Sequence, residues 1–229
     1  KDFLDSWFEN DHIKACFGFD SIVGNYASPE TPGSAYVLLH HVFGEVDGEK
    51  GAWGHAIGGM GSITQIMKTV CEKKGVEIET GIGVDKVLIE NNKAIGVKLA
   101  DGSKIFSNKV VSNLNPKLLF KKLVDKNDVD SEYLRKILNY KCGSGTFRMN
   151  VALSELPNFN CLPGIKVAEH HKSGIVIAPS LTYMDKAFTD AKQYGWSKNP
   201  IVEMLIPSTV DSTLAPEGNH VASLFCQQF

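Results

Sequence analysis

Two pairs of turn residues, Asn91-Asn92 and Asp101-Gly102, constrain this chain more tightly than any other feature in it. Asn, Asp and Gly accept the left-handed backbone that a tight hairpin turn requires, and each pair is flanked by runs rich in β-branched residues. Such turns join antiparallel neighbours directly. The spacing therefore predicts strands over 84–90, 94–99 and 103–107 as a meander, followed by a strand over 109–112. Upstream, the glycine turn GGMG at 58–61 opens into a helix. Ser62 and Gln65 have the spacing of a capping box, Ile63, Ile66, Met67 and Val70 fall on one face, and Lys73, Lys74 and Gly75 suit its C-terminal end. Val76, Ile78 and Thr80 then alternate as a strand expected to pack beside that helix.

The flanking segments are read in the same way. FLDSWF predicts a short helix with Phe3, Leu4, Trp7 and Phe8 on one face. A second helix starts at Asp11, points Ile13, Ala15, Cys16 and Phe17 inward and ends at Gly18. SPETPG at 28–33 must turn, SAYVLLHHVFG reads as a buried helix, and VDGEKGAWG as a loop. Beyond the meander, Asn115 as N-cap and Pro116 at the first helical position begin a helix, and a further helix covers 132–139. TFRMNVAL at 146–153 sets Phe147, Met149, Val151 and Leu153 against Arg148 and Asn150, the alternation of a strand with one polar face. Residues 157–174 read as loop, 175–178 and 201–206 as strands with a helix over 183–194 crossing between them, and 221–225 as a last strand.

The GGMG turn, the helix, the short strand, the three-stranded meander and VVSN at 110–113 together resemble the middle of the phytoene dehydrogenase-like FAD-dependent oxidoreductase family. TPGSAYVLLHHVFG, GAWGHAIGGMGSITQ and IPSTVDSTLAPEGNHVASLF extend the resemblance over almost the whole chain. It implies an α/β fold, α+β overall: a partial FAD/NAD(P)-binding Rossmann-like module with an inserted β-meander, plus a mixed-sheet substrate-side module. The implied division is 1–50 substrate-side helices, 51–115 flavin module and 116–229 substrate-side sheet and helices. The family's GxGxxG turn is not among these residues, because Gly58, Gly59 and Gly61 lack its spacing and its preceding strand. The chain is accordingly expected to be an internal piece of a larger enzyme that dehydrogenates or isomerises an apolar, polyene-like compound. The alternative is a catalytically inactive interaction module that keeps the flavoprotein fold.

The same resemblance brings Gly58 and Gly59 close to flavin, gives the backbone of Val84 to the adenine and sets Ser112 and Asn113 on the adenine side. His55 or Trp53 would touch the isoalloxazine edge or the substrate, with His55 as the catalytic candidate. The plainer reading packs Trp53 and leaves His55 partly exposed. Val84 is equally compatible with a structural strand role. Arg148 reads as a substrate contact or a surface ion pair. Phe17, Phe19, Tyr36 and Phe43 could line an apolar cavity or close the core.

Charge narrows the partners. The 229 residues are 43% hydrophobic and 22% charged with a formal net charge of -2, and the pI is near 6.4. No basic field for nucleic acid results, since the lysines alternate with acids. The expected partner is an apolar small molecule, with a homo-oligomer and peripheral membrane contact as open alternatives. His40-His41 are adjacent and face different ways on a helix, His170-His171 read as surface loop, and His12 and His220 have no ligand-spaced companions, so no metal is expected. Five scattered cysteines suggest a reducing compartment, cytoplasmic in a bacterium or the mitochondrial matrix in a eukaryote.

Overall fold

The computed structural model describes residues 1–143 and 145–229. In chain order its elements are α1 (Asp2–Asp5), α2 (Asp11–Asp20), α3 (Ser34–His40), β1 (Glu45–Val46), β2 (Glu49–Lys50), α4 (Met60–Lys73), β3 (Val84–Glu90), β4 (Lys93–Leu99), β5 (Lys104–Phe106), α5 (Pro116–Leu118), α6 (Ser131–Asn139), β6 (Thr146–Leu153), α7 (Glu169–Lys172), β7 (Ile175–Ile177), α8 (Leu181–Tyr194), β8 (Ile201–Leu205) and β9 (His220–Gln227). They form two compact units, one of Lys1–Met67 with Gly143–Phe229 and one of Lys68–Cys142.

The first unit is built on a four-stranded sheet in the order β6-β9-β8-β7. β6 and β9 pair without a register slip from Thr146 opposite Gln227 to Leu153 opposite His220. Where a mixed sheet is expected, every pairing is antiparallel. The reason lies in α8. Ile177 at the end of β7 faces Val202 at the start of β8, so the helix leaves and returns at one end of the sheet and does not cross over. The return is fixed by Tyr183 Oη donating to the Pro200 carbonyl at 3.1 Å and Ser197 N donating to the Gln228 carbonyl at 3.1 Å.

Ser180 caps α8 by accepting from Tyr183 N, and Leu181, Met184, Ala187 and Ala191 form its buried stripe. The first three join Leu4, Ala15, Phe19, Ile22, Leu38, Ala178 and Ile201 in the main core. Full burial of residues the size of Met184 or Ile22 contributes about 1.5–3 kcal/mol each.

Several sequence expectations change here. Asn10 caps α2, and the helix continues through Gly18 to Asp20, so its inward set is Ala15, Gly18 and Phe19. Ile13, Cys16 and Phe17 are exposed. Gly18 serves close packing: a β-carbon there would lie 2.3 Å from Leu181 Cδ2. α3 is buried only at Ser34 and Leu38, with Tyr36 and Phe43 exposed, as is Trp7 beyond the short α1. The 45–50 loop is a small hairpin turned by Asp47 and Gly48, both at positive φ. His171 is fully buried, with Nδ1 accepting from Ala168 N at 3.2 Å and Nε2 paired with the Pro157 carbonyl at 3.0 Å. A turn of helix at α7 draws it inward, which a reading of 157–174 as polar loop misses.

In the second unit β3, β4 and β5 pair antiparallel in sequence order. Asn91 and Asn92 take φ of 50° and 60° and join Glu90 to Lys93, while Gly102 takes φ of 90°. Asn115 caps α5 by accepting from Lys117 N, and Asp130 caps α6 through Tyr133 N. α4 ends as expected: Gly75 is left-handed, Gly75 N donates to Glu72 and Val76 N to Cys71, the paired bonds of a Schellman motif.

Its start differs. The helix begins at Met60, so Ser62 lies inside the first turn and donates its hydroxyl to the Gly59 carbonyl at 2.7 Å. Ile63, Ile66, Met67 and Val70 on its apolar face are exposed. Residues 76–80 and 109–112 form no strand pairing. Their β pattern is real, but a strand exists only where a second one completes its hydrogen bonds, and among the described residues none lies alongside.

Gly18→Val should lower unfolding free energy by about 1–3 kcal/mol through overpacking against Leu181. Urea denaturation measures it, and an unchanged midpoint would mean that the α2–α8 contact is looser than the structure has it.

Candidate functional site

A cavity of about 600 Å³ in the first unit gathers most of the chemistry-bearing side chains. Phe19, Val23, Leu205, Ile206, Pro207 and Val210 give it apolar walls, and Asp20, His41, Trp53, His55, Arg148 and Glu203 add polar and aromatic groups. α2 supplies Phe19 and Asp20, and β6 and β8 supply Arg148 and Glu203. The 53–55 segment follows the β1–β2 hairpin. A groove of about 790 Å³ beside β4 and β5 in the second unit has only Lys93 and Lys109 as ionisable lining, so the smaller cavity is the better candidate.

The segment carrying His55 is anchored by one carboxylate. Asp211, whose side chain is 3% exposed, accepts at Oδ2 from Gly58 N at 2.7 Å and faces His55 Nε2 at 3.3 Å. Its Oδ1 accepts from Thr213 N at 3.0 Å and from Thr213 Oγ1 at 2.6 Å. Locally this is an Asp N-cap on the short turn of residues 212–214. The Thr213 hydroxyl and then the Gly58 amide hold the carboxyl down at about 2.

Gly58 and Gly59 have φ of 83° and 78°, a conformation that costs an L-residue about 1–2 kcal/mol. A β-carbon on Gly58 would lie 3.4 Å from Ser62 Cβ, and one on Gly59 3.4 Å from Leu214 Cδ2.

Trp53 is 78% exposed, and its ring is parallel to that of His41 with centroids 6.0 Å apart. His41 is itself held by an Nδ1 contact to the Val37 carbonyl at 2.7 Å. Burial raises the carboxyl of Asp20 above its ordinary range, with His41 opposing. Burial also raises Glu203, reinforced by Asp20 and opposed by Arg148. Arg148 donates to Ser223 Oγ at 2.7 Å and sits 5.1 Å over the Phe225 ring.

Of the residues singled out in the sequence, His55, Gly58 and Gly59 lie together on one turn of the first unit. Val84, Ser112 and Asn113 belong to the second. Val84 pairs with Leu99 at the start of β3 and is 41% exposed. Ser112 and Asn113 are exposed, and Ser112 Oγ accepts from Leu114 N at 3.2 Å. Sequence reasoning missed Asp211, Asp20 and Glu203. Only Asp211 left a local signal, the Asp-x-Thr spacing of a capped turn.

The fold is α/β with antiparallel sheets, and the chain is distantly homologous to the pyridine nucleotide-disulfide oxidoreductase and phytoene desaturase-like family. It is 37% identical over 229 residues to pyridine nucleotide-disulfide oxidoreductase domain-containing protein 2 of Mus musculus, covering 98% of the chain and 39% of that protein. Chloroplastic prolycopene isomerase of Daucus carota is 26% identical over 182 residues, which cover 78% of the chain and 26% of the isomerase. The crystal structure of an oxidoreductase from Methanosarcina mazei matches with a TM-score of 0.63 at 19% identity, over 96% of this chain and 47% of that one. The chain thus spans well under half the length of the curated relatives it matches. No family model matches it.

Titration of the Asp211 carboxyl carbon by NMR should give a midpoint at about 2. Because the folded value lies below the ordinary 3.8, the stability it contributes is complete above 3.8 and is lost as pH falls through about 2. A midpoint at 3.8 would contradict the hydrogen-bonded geometry.

Proposed function

We propose that the chain is part of an FAD-dependent oxidoreductase that dehydrogenates or isomerises an apolar, polyene-like substrate. The observation that carries this reading is a largely apolar cavity with Trp53 and His55 on its wall, beside a left-handed glycine turn held by a buried carboxylate. The similarity to an enzyme named for a polyene supports the substrate class. Two features fit the cofactor: Gly58 and Gly59 leave the turn bare of side chains, and Trp53 offers an exposed indole face. When bound, FAD supplies the two-electron acceptor.

In this reading His55 is the catalytic residue and holds or moves a proton at a ring nitrogen. The backbone at Gly58 and Gly59 allows close approach to the flavin. Val84 offers its backbone on the adenine side with Ser112 and Asn113. The resemblance assigns the flavin module to residues 51–115 and the substrate side to 1–50 and 116–229, whereas the two compact units are Lys1–Met67 with Gly143–Phe229 and Lys68–Cys142. Asp20, Glu203, Arg148 and Lys172, together with His41 and His55, set polar groups beside the apolar walls of the cavity, which suits a hydrocarbon with a polar end. A second copy of the chain, or a membrane surface from which an apolar substrate is drawn, extends the same reading.

In a parent protein of the relatives' length, FAD should co-purify, and His55→Phe should cut turnover of prolycopene about a hundredfold or more with flavin content unchanged. Near-normal turnover returns His55 to a packing role, and a folded parent without flavin makes the chain a non-catalytic module. The 229 residues alone should bind FAD weakly, because they contain no GxGxxG turn to neutralise the pyrophosphate. Tight one-to-one binding would overturn that statement.

A further inference from the structure

We propose that Asp211 is a positioning residue that fixes His55 as its Nε2–H tautomer and, through the same oxygen, sets the Gly58 peptide. One carboxylate thereby orients both the ring and the glycine turn of the candidate site. The proposal deepens the reading of His55 as a proton-handling group, and its test does not depend on flavin or turnover.

An ionised carboxylate accepts only, with about four lone-pair positions. At Asp211 four donors meet them: Thr213 N and Thr213 Oγ1 at Oδ1, and Gly58 N and His55 Nε2 at Oδ2. A lone pair on Nε2 would face a lone pair on Oδ2, so neutral His55 carries its proton on Nε2. Nδ1 is left as the basic atom of a ring that lines the cavity. The side chain that dictates this is itself 3% exposed and tied at its other oxygen to its own turn, so it cannot rotate away without releasing Thr213. His55 is half-exposed and has no second anchor of that kind among the described residues.

Asp211 contributes no acid or base to the cavity; its role runs through His55. A purely structural carboxylate that only held the turn closed would be indifferent to which ring nitrogen carries the proton. The tautomer therefore separates the two roles.

The test is a long-range proton–nitrogen NMR correlation on the 229-residue chain with ¹⁵N-labelled histidine, at a pH where the ring is neutral. The wild type should show a pyrrole-like Nε2 and a pyridine-like Nδ1 for His55, with the Nε2–H form in excess by roughly tenfold or more, as a hydrogen bond to a charged acceptor gives. In Asp211→Asn the amide group can donate to Nε2, and the excess should shrink or reverse; Asp211→Glu, which keeps the acceptor-only chemistry, should retain it. A wild-type ring that is mainly Nδ1–H, or an Asp211→Asn ring with the wild-type ratio, overturns the proposal. A wild-type ring that is mainly Nδ1–H refutes the proposal even if a variant fails to fold.

Discussion

The buried carboxylate of Asp211 is the interaction on which the candidate site depends. His55 and Gly58 lie more than 150 residues away from it in sequence, on a glycine-rich segment that has little side-chain packing of its own. Two consecutive glycines carry a large conformational entropy, and ordering them requires a partner that fixes the peptide between them and the flanking ring. Asp211 meets that requirement with strong, charge-assisted bonds. Because it is anchored on the turn between β8 and β9, the position of His55 is referred to the four-stranded sheet.

That sheet gives the site a firm base. β9 pairs on both sides, with β6 and with β8, and the α2–α8 core includes Ile201 of β8, with Val176 and Phe225 packed against it. The cavity inherits apolar walls from α2 and from the segment after β8, and its charged groups from β6 and β8. The raised carboxyls of Asp20 and Glu203 follow from the same placement, since both are drawn out of water, with His41 offsetting part of the cost at Asp20 and Arg148 part of it at Glu203. Burial likewise raises the Cys226 thiol on β9, which keeps it a packing residue and not a nucleophile.

Features set by local chemistry were legible in the sequence. The Asn91-Asn92 and Asp101-Gly102 turns, the Asn115-Pro116 helix start, the β6 strand and the Gly75 helix end are each dictated within a few residues, although Phe147 and Met149 on the apolar side of β6 are exposed. Features that depend on a distant partner were not. Residues 76–80 and 109–112 have β chemistry but no neighbouring strand. Gly18 looked like a helix stop because its reason, Leu181, is far along the chain. His171 looked like a surface residue because its two hydrogen-bond partners are backbone groups that no pattern announces. For the same reason Asp211 could be read as a turn residue but not as the anchor of His55, since its long-range donors lie on the other side of the sequence.

Hydrogen exchange at the Gly58 amide reports whether Asp211 holds the His55–Gly58 turn in place. This amide should exchange far more slowly than an open glycine amide in the wild type. In Asp211→Ala it should approach the unprotected rate while the amides of α8 and the β6–β9 pair stay protected. A Gly58 amide that already exchanges freely in the wild type would mean that Asp211 does not hold the turn.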